Sequence, residues 1–248
     1  MANQVLEIQL PENFEVFTDK VIERGWVGEI GKNRRDITGA ISKMEARTLA
    51  KIILKHNCQR SFETGVANGI STLAITQAIA TNNGHHYGID PCQFIEHQGV
   101  ALTVLEEHNL LGQFTLCEGP THLEAPKFMR RNETFDFVFI DGMHVFDYKI
   151  IDLFYADKLL QIGGFLVFHD LLLPSLKKLL KFIKIYYKYK IIITPELQPS
   201  LQRKAKYMVA AFIKRKPYWY EWPNSFCNLL VLQKTAESEH PWNYFENF

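Results

Sequence analysis

Two short runs, Asp141-Gly142-Met143-His144 and His169-Asp170, each close an apolar stretch, Phe135–Ile140 and 164–168. Carboxylate oxygens and an imidazole nitrogen suit a divalent cation, so Asp141, His169 and Asp170 form the expected metal set. His144, three residues beyond Asp141, is free to face a substrate and accept a proton. Each group alone has a plainer use, since Asp caps helices and a His-Asp pair can be a satisfied ion pair at a strand end. Four such groups brought to neighbouring strand ends favour chemistry.

A second signal is Phe62-Glu63-Thr64-Gly65-Val66-Ala67-Asn68-Gly69-Ile70-Ser71, a strand running through a glycine-containing turn into a helix. Gly65 and Gly69 allow backbone to approach a ligand where a side chain would collide. The spacing is not the Gly-x-Gly-x-x-Gly of dinucleotide sites, and the carboxylate of Glu63 would repel a pyrophosphate while suiting an ammonium group. Asp90, closing Tyr87-Gly88-Ile89-Asp90, can accept both hydroxyls of a ribose or serve as a helix cap.

These residues need a frame that gathers strand ends. Ser42-Lys43-Met44-Glu45 has the form of a capping box and starts a helix that ends near His56. Beyond it, apolar strands at 60–64, 86–90, 114–118, 135–141 and 164–169 alternate with helices near 69–80, 94–110, 122–131 and 146–160. Such alternation predicts an α/β fold, a doubly wound, mainly parallel sheet with helices on both faces, because parallel neighbours need crossover connections. Ligands then sit at the carboxyl ends of the strands. The Lys-rich stretch 171–190 reads as a solvated surface helix rather than a membrane-surface one. Strands at 190–194 and 207–214 are expected to add an antiparallel C-terminal hairpin.

The glycine turn and Asp90 resemble the class I, Rossmann-like S-adenosylmethionine-dependent methyltransferases. The resemblance implies S-adenosylmethionine as cofactor. Gly65, Ala67 and Gly69 would surround its methionine part, Glu63 would support the amino group, Asp90 would bind ribose, and Gly119 and Pro120 would border adenine. Ser71 and Asp141 are counted with the cofactor-binding residues. The Ile-Asp-Gly-x-His motif, followed by Tyr148, Asp152, a Gly-Gly pair and His169-Asp170, is similar to small-molecule O-methyltransferases that include macrolide-sugar enzymes and relatives of cephalosporin-modifying enzymes. That similarity, over about 42–170, implies Mg2+ on Asp141 and Asp170, with His144 as base.

The 248 residues fit one core, divided here into an N-terminal segment 1–41 that could cover the site, a methyltransferase domain 42–216 and an aromatic-rich extension 217–248. The extension is expected to pack on the same domain, and covering the substrate mouth or joining a homo-oligomer both remain open for its Trp and Tyr residues. Lys plus Arg number 28 against 27 Asp plus Glu, which removes the basic excess that draws proteins to nucleic acid or anionic lipid. A small-molecule substrate follows, with no nucleic acid and no stable membrane insertion. The four widely spaced cysteines and the absence of a signal-peptide pattern at the start point to a cytoplasmic address. Competing readings are a metal-independent methyltransferase, a non-catalytic S-adenosylmethionine-binding module and an NAD-dependent oxidoreductase, the last disfavoured by its missing phosphate-binding glycines.

Overall fold

The computed structural model describes residues 4–5, 9–11, 14–37, 40–171, 173–193 and 228–248. Its strands are β1 (Gln4–Val5), β2 (Trp26–Val27), β3 (Arg35–Asp36), β4 (Arg60–Thr64), β5 (His85–Ile89), β6 (Phe114–Cys117), β7 (Phe135–Ile140), β8 (Leu160–Phe168), β9 (Tyr189–Ile193) and β10 (Leu230–Lys234). The helices are α1 (Phe17–Arg24), α2 (Lys43–Lys55), α3 (Ile70–Thr81), α4 (Val100–Glu107), α5 (Thr121–Arg130), α6 (Phe146–Leu159) and α7 (Pro174–Tyr186).

Eight strands form one sheet in the order β1-β9-β10-β8-β7-β4-β5-β6, while β2 and β3 pair separately. Only β10 runs antiparallel to its neighbours β8 and β9 in that sheet. From β4 the chain winds outward through β5 to β6, then returns to the other side of β4 as β7. The crevice between the carboxyl ends of β4 and β7 is therefore the switch point of the sheet, where open α/β sheets hold their ligands.

Both faces of the sheet are covered, and β7 shows why its residues form a strand there. Phe137 and Phe139 join the core made with α2, α3 and α4, whereas Phe135, Val138 and Ile140 join the core made with α5, α6 and α7. A strand buried on both faces reads as a continuous apolar run. The capping box is present: the Ser42 hydroxyl accepts from the Glu45 amide, and the Glu45 carboxylate accepts from the Ser42 amide at 2.8 Å.

Three differences from the sequence expectations concern element ends. Helix α4 begins at Val100, not near 94, because residues 91–99 form turns that end at Gly99 with φ +70°. Strand β8 begins at Leu160, four residues early, and follows α6 directly. The antiparallel strand that pairs with β9 is Leu230–Lys234; the stretch 207–214 lies outside the described residues.

In α7, Leu176, Leu179, Leu180 and Ile183 are buried, and Lys178, Lys181 and Lys184 are exposed, which is the amphipathic pattern of a surface helix. The end of the chain packs on it, with the Phe182 and Phe248 rings 4.8 Å apart and the Tyr186 hydroxyl donating to the Glu246 carbonyl at 2.8 Å. No helix among the described residues is long and apolar enough to cross a membrane.

Candidate active site

The turn after β4 and the turn after β7 are pressed together. The Asp141 amide donates to the Thr64 carbonyl at 2.9 Å. A Cβ on Gly65, whose φ is +85°, would lie 2.6 Å from the Asp141 carbonyl oxygen. Glycine is demanded here by backbone meeting backbone, and at Gly69 by the Cα of Ala101 on α4, 2.8 Å from a built Cβ. Packing within the protein thus demands both glycines by itself.

An open cleft of about 160 Å3 lies at this junction, lined by Gly65, Val66, Ala67, Asn68, Ile70 and Ser71 from the turn after β4 and the start of α3, by Asp141, His144 and Asp170, and by Ala40 and Ile41. Gly69 caps α3 without a side-chain hydrogen bond, so the first amides of that helix are available to a carboxylate, as helix N-termini generally are.

Among the other residues expected to touch cofactor, Glu63 does not face the cleft. It is fully buried, its carboxylate accepts from Ser71 Oγ at 2.9 Å and from Thr72 Oγ1, and His86 Nε2 lies 3.2 Å away. The hydroxyls eight and nine residues downstream claim it, and it ties the first turn of α3 to β4. Asp90 is likewise buried: Oδ2 accepts from the Val66 and Ala67 amides at 3.0 and 2.8 Å, and Oδ1 from the Cys92 amide at 2.7 Å. It shapes the glycine turn directly. Gln93, which the sequence did not single out, helps by donating to the Ala67 carbonyl at 2.9 Å. Gly119 and Pro120 stand at the end of β6, outside the cleft lining, where Pro120 caps α5.

At the transfer end the four expected residues separate into two roles. One donor atom each from Asp141, His144 and Asp170 lies within 4.8 Å of the others, an arrangement able to hold a metal ion. His144 Nε2 is 3.3 Å from Asp170 Oδ2. His169, expected as a ligand, is not part of this group. Its Nδ1 lies 3.1 Å from Asp141 Oδ1 and 3.5 Å from Asp170 Oδ1, and its Nε2 lies 3.7 Å from Glu45 Oε1.

Burial alone would lower the His169 pKa, but hydrogen bonds to Asp141 and Glu45 and the charges of Asp141 and Asp170 outweigh it and raise the pKa to about 10. His169 Nδ1 faces Asp141 and Asp170, while Asn228 Nδ2 lies 3.0 Å from Nε2 and donates to Asp170 Oδ1 at 3.1 Å, so both ring nitrogens are engaged within the protein and His169 holds the two carboxylates side by side. Glu45 is the partner the sequence missed, because the capping box already accounted for it.

Beneath the cleft α6 carries Lys149 and Asp152, both buried on the helix face that also buries Leu153 and Ala156. Asp152 accepts from Thr64 Oγ1 at 3.2 Å, and burial raises its pKa against the opposing pull of Thr121, Lys149 and Thr64. A lysine at a core position of an otherwise apolar helical face is the sequence signal that could have found Lys149.

Sheet order and cleft together define the class I methyltransferase fold. Residues 62–171 match a family model described as a methyltransferase domain. Solved structures share the fold at low identity. The O-methyltransferase TomG from Streptomyces achromogenes, involved in tomaymycin synthesis, is 14% identical with a TM-score of 0.59, covering 79% of this chain and 82% of that one. A candidate O-methyltransferase from Klebsiella pneumoniae is 13% identical at 0.61, covering 91% and 92%. An O-methyltransferase from Bacillus cereus in complex with S-adenosylhomocysteine is 15% identical at 0.56, covering 62% and 75%. A comparison with curated proteins gives no match.

Proposed function

We propose that this protein transfers a methyl group from S-adenosylmethionine to a hydroxyl oxygen of a small molecule. The observation that carries the reading is the single cleft joining the β4 glycine turn to Asp141, His144 and Asp170. Bound S-adenosylmethionine supplies an electrophilic methyl group on a sulfonium. The residues that would hold it are those of the turn, Gly65 to Asn68, with Ile70 and Ser71 at the open N-terminus of α3.

With its Nε2 proton turned to Asp170 Oδ2, 3.3 Å away, His144 would keep Nδ1 free as the proton acceptor. Nδ1 would take the proton of the acceptor hydroxyl as its oxygen bonds to the methyl carbon, which the bound donor would release with the carbon–sulfur electron pair left on sulfur. His144 is half-exposed on the cleft, as a base that meets an exchanging substrate must be. A divalent ion such as Mg2+ fits the oxygen, oxygen and nitrogen donors of Asp141, Asp170 and His144 and would supply Lewis acidity toward the acceptor hydroxyl. An ion on Asp170 would compete with His144 for that carboxylate.

Two measurements test the reading. S-adenosylhomocysteine at a hundredfold excess over its dissociation constant should stabilise the protein by about 2.7 kcal/mol in a thermal melt. With radiolabelled methyl donor and a panel of hydroxylated small molecules, His144→Ala should cut turnover by about 10² to 10⁴ while product affinity is kept. No binding by melt or calorimetry removes the cofactor, and wild-type turnover in His144→Ala removes the base.

A further inference from the structure

Among the described residues two lysines are fully buried, and they are placed very differently. Lys234 Nζ donates to the Asp157 carbonyl at 2.7 Å, to the Leu160 carbonyl at 2.9 Å and to Glu237 Oε2 at 2.9 Å, which satisfies all three of its protons. Among the described residues Lys149 Nζ reaches one acceptor, the Gly142 carbonyl, at 3.5 Å. A buried ammonium is costly unless it is paired, and one long hydrogen bond does not account for it.

The acidic groups around Lys149 lie beyond direct ion-pair contact. Asp152 stands one helical turn on, and Asp141, which precedes the residue whose carbonyl Lys149 reaches, stands beside Asp170. Burial lowers its pKa, and these three carboxylates oppose that shift. Its one acceptor belongs to the residue after Asp141, in the turn that packs against Gly65.

The geometry points to Lys149 as a positioning residue of the transfer site, a fixed internal cation that steadies the Asp141-Gly142 turn and offsets Asp141 and Asp170. This inference rests on the assignment of Asp141, His144 and Asp170 as the transfer site. Two consequences follow from Coulomb's law alone. The acidic pair stays together when no ion is bound. A divalent ion placed on the pair meets a fixed positive charge that it cannot displace, and so binds more weakly than the donor set by itself would allow.

Substitution separates this charge from packing, because the two predict opposite signs. Lys149→Gln retains a donor for the Gly142 carbonyl but no charge, and Lys149→Arg retains the charge. Mn2+ binding to the cofactor-free protein, followed by electron paramagnetic resonance, should become about tenfold or more tighter in Lys149→Gln and stay near wild type in Lys149→Arg. A purely structural role would loosen Mn2+ binding in Lys149→Gln by disturbing Asp141. Should Lys149→Gln fold poorly, Lys149→Met replaces it, with the same tightening expected.

Equal or weaker Mn2+ affinity in the uncharged variant, or no Mn2+ binding by either protein, overturns the inference. The S-adenosylhomocysteine melt shift is recorded on the same samples. A shift without the Mn2+ effect defeats only the role of Lys149, whereas no shift in wild type defeats the methyltransferase reading.

Discussion

Among the cleft residues, Ala67 and Asp170 adopt left-handed backbone, at φ +46° and +60°, and neither is the glycine or asparagine that usually does so. Such conformations cost about 1–3 kcal/mol and persist where surrounding contacts enforce them, commonly at functional sites. Here the enforcing contacts are visible, since Asp90 and Gln93 hold both sides of Ala67. Ala67→Gly should therefore raise stability by up to about 1 kcal/mol in urea denaturation. Gly65→Ala should lower it by about 2–5 kcal/mol, through a φ unsuited to alanine plus collision with the Asp141 backbone. A harmless Gly65→Ala would mean that the two turns are not pressed together as described.

Between elements, the chief finding is that one carboxylate joins β5 to the turn after β4. Because Asp90 accepts three backbone amides, Asp90→Ala should cost about 2–4 kcal/mol and should weaken S-adenosylhomocysteine binding through a loosened turn, whatever contact Asp90 makes to ribose. Asp90→Asn, which retains one acceptor oxygen, should be intermediate in denaturation and in calorimetry. Full stability in Asp90→Ala would show that these amides find other partners. At this scale the sequence was informative where patterns are local. Arg60–Thr64 has the bounds expected for its strand, and the capping box starts α2 as read. Local pattern failed at α4 and β10. The left-handed Gly99 and the turns before it stop the helix short, and Leu230–Lys234, an apolar run not read as a strand, is inserted between β8 and β9.

Across the whole molecule, His169 couples stability to pH, because its partners come from α2 and from the ends of β7 and β8. Its folded pKa, about 10, lies above the ordinary value of 6.5, so its contribution in metal-free protein is complete below pH 6.5. It declines as pH rises and is gone above about 10. Melting temperatures of chelator-treated protein should fall from pH 6 to pH 10, and His169→Gln should fall less steeply over the same window. Parallel slopes would show that His169 is not held as a cation.

Sequence by itself determined the frame and the address of the site. Periodicity set the alternation of strands and helices, the glycine turn and the acidic strand ends placed chemistry at the carboxyl edge, and those features depend on residues close together in the chain. Tertiary structure decided which groups are free to react. His144 and not His169 joins Asp141 and Asp170, because His169 is engaged by Glu45, almost a hundred residues before Asp141, and by Asn228, well beyond it in the chain. Glu63 turns away from the cleft toward Ser71, Thr72 and His86, and Lys149 lies buried below it. Protonation and pairing follow distances through space, and a one-dimensional pattern carries those only where the partners are neighbours in sequence.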